Sequence, residues 1–231
     1  ITETPAAIGY VGLGYVDSEV TGLKVDGVDP TVAEVQSGNY PISRNLNMFT
    51  DGTPGGLAKD FIEYIQSDEG QTIVEDEGFV PLSSDGGNGG GETRSITIEG
   101  STTVLPIAQA AADAWMAAHP NDDIQVSGGG SSVGVKAVAE GTADIGMASR
   151  ELKDSEKTDY PNLVQHIVAK DGIAVIVNTG NSVTGLTMDQ IRDIYLGTTT
   201  NWQDVGGDDQ EIVAVGRGSA SGTRATFEEL V

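Results

Sequence analysis

Apolar positions along this chain follow two periods in turn, and the alternation predicts its elements. Short aliphatic and β-branched runs at 6–16, 23–25, 95–99, 124–126, 143–148, 163–168, 173–178 and 212–215 read as strands, each bounded by glycine, proline or polar residues. Between them the spacing turns helical. Leu57, Phe61, Ile62 and Ile65 share one face of a helix, 105–118 is alanine-rich with Trp115 and Met116 on its apolar side, and 69–77, 133–140 and 225–231 are further helices. Residues 29–31 open a short helix that runs to Gln36 and stops at Gly38, and Thr187-Met188-Asp189-Gln190 is a capping box for a helix ending at Leu196. Residues 40–49 form an extended segment that ends in a Gly/Pro turn at 52–56. The repeated order of strand, loop and helix predicts an α/β architecture with mostly parallel sheets.

Four of the loops that follow predicted strands carry one kind of chemistry. They are Gly100-Ser101-Thr102-Thr103, Gly128-Gly129-Gly130-Ser131-Ser132, Ala148-Ser149-Arg150 and Gly216-Arg217-Gly218-Ser219-Ala220-Ser221-Gly222-Thr223. Small residues before a helix leave backbone N–H groups open at the positive end of the helix dipole, hydroxyls add further donors, and arginine adds a planar fork. Any one such loop reads equally well as a plain turn or cap, because Ser, Thr and Gly favour both. Four together, beyond the carboxyl ends of strands in one α/β sheet, point to an oxyanion site.

Composition narrows the chemistry further. The 231 residues hold 35 acidic and 12 basic side chains, a formal net charge of -23, which disfavours nucleic acid and anionic membrane surfaces as partners. So acidic a surface suits a protein working in concentrated salt, where a Debye length of about 3 Å at about 1 M screens both self-repulsion and the approach of an anion. With no cysteine there is neither a disulfide framework nor a thiolate metal site. His119 and His166 are isolated, and no G-x-S-x-G elbow, phosphate loop or metal-spaced aspartate cluster occurs. Donors without a nucleophile and base favour binding over turnover, with no cofactor and no metal. No apolar run approaches the roughly 18 residues of a membrane helix, so no membrane insertion is expected, and no signal peptide is visible at Ile1.

The glycine-rich stretch 83–94 reads as a linker spanning roughly 17 to 20 Å. After it, Ile98-Glu99-Gly100-Ser101-Thr102-Thr103, Gly128 to Ser132, Met147-Ala148-Ser149-Arg150-Glu151-Leu152-Lys153 and Arg217-x-x-x-Ser221-Gly222-Thr223 are similar to the N-terminal portion of the periplasmic-type phosphate-binding proteins of ABC importers. Residues 5–82, from Pro5-Ala6-Ala7-Ile8-Gly9-Tyr10 to Gly78-Phe79-Val80-Pro81-Leu82, resemble that family's C-terminal portion. The halves stand in reverse order, so the chain reads as a circular permutant in which the linker joins the family's two ends. A tract like 86–91 is more often a designed connection, which keeps open an engineered sensor scaffold. Roughly two dozen family residues between Val231 and Ile1 have no counterpart here.

The resemblance implies a two-lobe periplasmic-binding-protein fold of type II, each lobe a mixed, mostly parallel sheet flanked by helices. One lobe would be 42–172 and the other 173–231 plus 1–41, with a hinge near 40–44 and 170–173. It implies that a monomer closes on inorganic phosphate and delivers it to the importer permease outside the cytoplasm, without catalysis. The implied ligand set is Ser101, Thr102, Thr103, Ser131, Ser149, Arg217, Ser221, Gly222 and Thr223, with Arg150 as a second cation. Well-studied members carry an aspartate where this chain has Arg150, and another where it has Ser219. The first of these accepts the proton of monohydrogen phosphate and so excludes sulfate. With Arg150 in its place, Glu99 and Glu151 are the nearest candidate acceptors, and binding of another tetrahedral oxyanion such as sulfate or tungstate is the alternative. A phosphate-ester hydrolase is the reading from a different class.

Overall fold

The computed structural model describes residues 1–82 and 94–231. The expected linker therefore lies outside the described residues except for Arg94. In chain order the elements are β1 (Ala7–Gly12), β2 (Val20–Gly22), β3 (Lys24–Val25), α1 (Val32–Gln36), β4 (Ser43–Asp51), α2 (Gly56–Gln66) and α3 (Asp68–Asp76). There follow β5 (Arg94–Gly100), α4 (Leu105–Ala118), β6 (Asp122–Gly128), α5 (Ser131–Ala139), β7 (Ile145–Ala148), α6 (Asp154–Asp159) and β8 (Leu163–Asn178). The last are β9 (Gly185–Leu186), α7 (Met188–Tyr195), β10 (Val213–Ala214) and α8 (Gly222–Leu230), with 3-10 turns at Leu13–Tyr15 and Trp202–Val205.

The chain divides into two compact units. The first comprises Ile1–Arg44, Asp171–Gly218 and Thr223–Val231, and the second Asn45–Lys170 and Ser219–Gly222. Both are α/β. In the second unit the strand order is β8-β4-β7-β5-β6. Strand β5 runs parallel to β6 and to β7, with Gly100 opposite both Gly128 and Met147, and β4 runs antiparallel to β7. That register brings the carboxyl ends of β5, β6 and β7 to one edge. Helix α4 packs on β6 and α5 on both β5 and β7. The core beneath them gathers Phe61, Ile65, Ile98, Ile107 and Met147, all at most 1% exposed.

Local chemistry explains the elements. Helix α4 starts one turn after Ser101, whose Oγ accepts from the N–H groups of Thr103 and Val104, and Pro106 fits the first turn, where its missing N–H costs nothing. Helix α5 can lie close on the sheet because Gly134 has no side chain: a Cβ there would come within 2.5 Å of the Glu99 carbonyl oxygen and 2.6 Å of that of Met147.

In the first unit β1 pairs parallel with β10 and antiparallel with β8, β2 also pairs with β8, and β3 pairs parallel with β9. The Trp202 indole, 1% exposed, donates to the Ala6 carbonyl at 2.9 Å. Tyr10 stacks on Phe227 with ring centroids 4.0 Å apart, and Tyr195 meets both rings edge-on. The capping box at Thr187 forms as predicted, with Oγ1 accepting from Gln190 N–H and the Gln190 side chain accepting from Thr187 N–H.

Three local expectations need correction. The two strands read at 163–168 and 173–178 are one strand, β8. Helix α6 was not predicted, because its N-cap is Lys153 and the residue three positions on, Glu156, accepts from Lys153 N–H in place of the usual Ser/Thr signature. Helix α8 starts at Gly222, so Gly222 and Thr223 belong to its first turn and not to the preceding loop.

Candidate anion-binding site

The loops at the ends of β5, β6 and β7 are tied to one another by backbone. Gly129 and Gly130 both donate to the Gly100 carbonyl at 2.8 Å, and Ser101 N–H donates to the Met147 carbonyl at 3.0 Å. Gly130 has φ +100, which glycine adopts without strain, and its backbone lies so close to Ala220 that a Cβ would come within 2.7 Å of the Ala220 carbonyl oxygen. The result is a cradle at the N-terminus of α5, with Ser131 as first residue of the helix.

Two hydroxyls form the floor. Ser131 Oγ accepts from Ser149 N–H at 3.1 Å and lies 3.3 Å from Ser149 Oγ, with the two residues 0% and 1% exposed. Gly222 closes over this pair: a Cβ there would lie 2.1 Å from Ser131 Oγ and 2.6 Å from Ser149 Oγ. The segment Ser219–Gly222 therefore belongs to the second unit although its neighbours on either side belong to the first. Ser221 is carried on that segment. Thr102 is exposed, with its methyl against Gly128, while Thr103 is buried. Ser101 Oγ is engaged by the N–H groups of Thr103 and Val104, in the turn that leads into α4.

Arg150 is buried and pairs with Glu156, with Nη1 to Oε2 at 2.7 Å and Nη2 to Oε1 at 2.8 Å. Burial tends to raise the Glu156 pKa, but the hydrogen bonds from Arg150 and from Lys153 N–H outweigh it and hold the carboxyl below its ordinary value. Arg217 and Thr223 lie in the first unit. There the Arg217 backbone is gripped at both ends, its N–H donating to Tyr10 Oη at 3.4 Å and its carbonyl accepting from Arg224 Nη1 at 3.1 Å. Of the candidate proton acceptors, Glu151 is exposed and accepts from Asn45 at 3.4 Å, and Glu99 is half-buried. Among the described residues no group of three or more His, Cys, Asp or Glu side chains could hold a metal ion.

Residues 87–231 match the PBP superfamily domain. Phosphate-binding protein PstS 2 of Streptococcus agalactiae is 38% identical over 207 residues, covering 89% of this chain and 70% of the relative. This chain belongs to the PstS family of phosphate-binding proteins. A crystal structure of a phosphate-binding protein of a phosphate ABC transporter from Streptococcus pneumoniae superimposes with a TM-score of 0.75 at 33% identity, covering 89% of this chain and 79% of that one. A Clostridium perfringens substrate-binding protein of a phosphate ABC transporter, solved with bound phosphate, matches at 42% identity and a TM-score of 0.53 over 58% of this chain and 55% of that one. These relatives are named as binding proteins, not enzymes.

Sequence reasoning missed Glu156 and the hydroxyl of Ser132 as neighbours of the cradle. Ser132 Oγ accepts from Arg150 Nη2 at 3.1 Å. A glutamate three residues after Lys153 was the available signal, and it carries no hint that Arg150 is its partner. Among the described residues no helix is long and apolar enough to cross a membrane.

Proposed function

We propose that this chain binds inorganic phosphate as the substrate-binding component of an ABC importer, without catalysis. The observation that carries the reading is the buried Ser131–Ser149 hydroxyl pair at the start of α5, closed by Gly222. Buried hydroxyls at a helix N-terminus, at the positive end of its dipole, complement a compact oxyanion. In this reading Ser131, Ser149, Thr102, Thr103, Ser221 and Gly222 supply donors, with Ser101 holding their loop, and Arg217, Arg150 and Thr223 belong to the same ligand set. The two units correspond to the lobes of a monomeric receptor working outside the cytoplasm with a permease, and the order of its segments to a circular permutation of the family's. A second reading, binding of another tetrahedral oxyanion, draws on Arg150, a donor where an acceptor would select a protonated oxygen.

Isothermal calorimetry with phosphate and with sulfate tests both. Heat with phosphate at micromolar concentrations and none with sulfate is the expected result. No heat with phosphate overturns the proposal, and equal affinities favour the second reading.

A further inference from the structure

Arg150 is 5% exposed, and the hydrogen bonds of its guanidinium leave one donor over. Nη1 donates to Glu156 Oε2 and to the Glu151 carbonyl, and Nη2 donates to Glu156 Oε1 and to Ser132 Oγ. Four of the five N–H groups are thereby taken. Nε is buried and has no hydrogen-bond partner among the described residues. Its direction follows from the planar group. The two terminal nitrogens face the carboxylate end-on, so the remaining Nη2 hydrogen, which goes to Ser132, lies on the edge shared with Nε–H. Nε–H consequently points the same way as the Ser132 bond, toward the first turn of α5, where Ser131 forms the floor of the cradle.

A buried donor with no acceptor costs free energy, and a buried cation paired end-on with a carboxylate has most of its charge compensated. We infer that Glu156 sets the anion affinity of the cradle: by taking both terminal nitrogens of Arg150 it withholds charge from a bound anion and leaves the arginine a single directed donor, Nε–H. Glu156 and the anion compete for one guanidinium, so the carboxylate keeps affinity below what the cradle and an unpaired arginine would reach. Glu156 is thus a positioning residue that acts through Arg150. The inference rests on the oxyanion reading of the cradle.

The test measures inorganic phosphate affinity by calorimetry in wild type, Glu156→Gln and Arg150→Lys, each at low and high sodium chloride. Glutamine keeps the length and the capping oxygen that Lys153 N–H uses but removes the charge. Glu156→Gln is expected to bind phosphate about tenfold or more tightly at low salt and to lose affinity more steeply as salt rises, because the unmasked charge is screened. Arg150→Lys, which keeps a charge but has no Nε–H, is expected to bind about tenfold more weakly. A pair that only ties α6 to the β7 loop would lower thermal stability in both variants and leave affinity and salt dependence unchanged, and that result overturns the inference. Weaker binding by Glu156→Gln overturns it as well. Failure of the wild type to bind phosphate or sulfate removes the oxyanion reading and this inference with it, whereas binding by the wild type with unchanged variants removes the inference alone.

Discussion

Arg44 and Asp171 form a buried ion pair in which arginine Nε and Nη2 both reach Asp171 Oδ2, at 3.0 and 2.6 Å, with side chains 3% and 0% exposed. Oδ1 accepts from Leu13 N–H at 2.9 Å. Each residue is the first-unit neighbour of a chain crossing, Arg44 before Asn45 and Asp171 after Lys170. Nearby, Ile173 N–H donates to the Ile42 carbonyl, and Tyr40 Oη donates to the Ile173 carbonyl. One buried pair thus fastens together, within the first unit, the two strands that leave it. Removing one partner strands a charge, so Asp171→Asn is expected to lower stability by about 3 to 5 kcal/mol, whereas Arg44→Met with Asp171→Asn, which buries no charge and keeps an acceptor for Leu13 N–H, costs less. Urea denaturation of both variants checks this.

Gly222 is where a single methyl group should cost the most in binding. Its Cβ would sit 2.1 Å from Ser131 Oγ, inside any van der Waals contact, so Gly222→Ala must push the helix start away or displace the hydroxyl. The expected outcome is a loss of about 1 to 3 kcal/mol in stability. Phosphate affinity should fall further, by at least about tenfold, because the displaced groups are the donors themselves. Thermal unfolding and calorimetry on the same preparation separate the two effects.

Arg217→Ala removes a guanidinium from the proposed ligand set. Phosphate binding is expected to weaken by about 2 kcal/mol or more, roughly thirtyfold, as when one member of a hydrogen-bonded charge pair is truncated. Calorimetry at fixed ionic strength is the measurement, and an unchanged dissociation constant would place the arginine outside the site.

His166 provides a pH dependence. Burial lowers its pKa from the ordinary 6.5, and its Nε2 lies 3.0 Å from Thr50 Oγ1. The unfolded chain therefore binds a proton more readily than the folded one, and stability rises with pH in that range. The contribution is fully present above 6.5 and is lost as pH falls through the lowered folded value. Urea midpoints between about pH 7.5 and 5.5 should decline in wild type and decline less in His166→Gln.

Much of the fold was legible because it is local. Helix α4 spans Leu105–Ala118 as its alanine-rich pattern predicts, and the buried face of α2 holds Leu57, Phe61, Ile62 and Ile65 at the predicted spacing. Turn chemistry was legible for the same reason: Asp26 and Gly27, at φ 49 and 83, form the predicted turn after β3. The misread break in β8 shows the limit. Lys170-Asp171-Gly172 looks like a turn because it is polar and ends in glycine. In the fold Lys170 pairs its backbone with Val80 in both directions, Asp171 meets Arg44, and a Cβ on Gly172 would come within 2.6 Å of Val35. A residue that looks like loop in isolation is strand when a distant partner satisfies it.

The sequence by itself determined the α/β alternation, the donor-rich loops and the family, since periodicity, cap residues and short motifs are written in neighbouring positions. Only the tertiary structure decided how those loops are used. It set Ser131 against Ser149 eighteen residues on, laid Gly222 over both, and paired Arg150, expected as a second cation on the ligand, with Glu156. The physical reason is that a charge or hydroxyl acquires its role from the partner that desolvates or compensates it, and that partner is chosen by packing between elements, which no local pattern records.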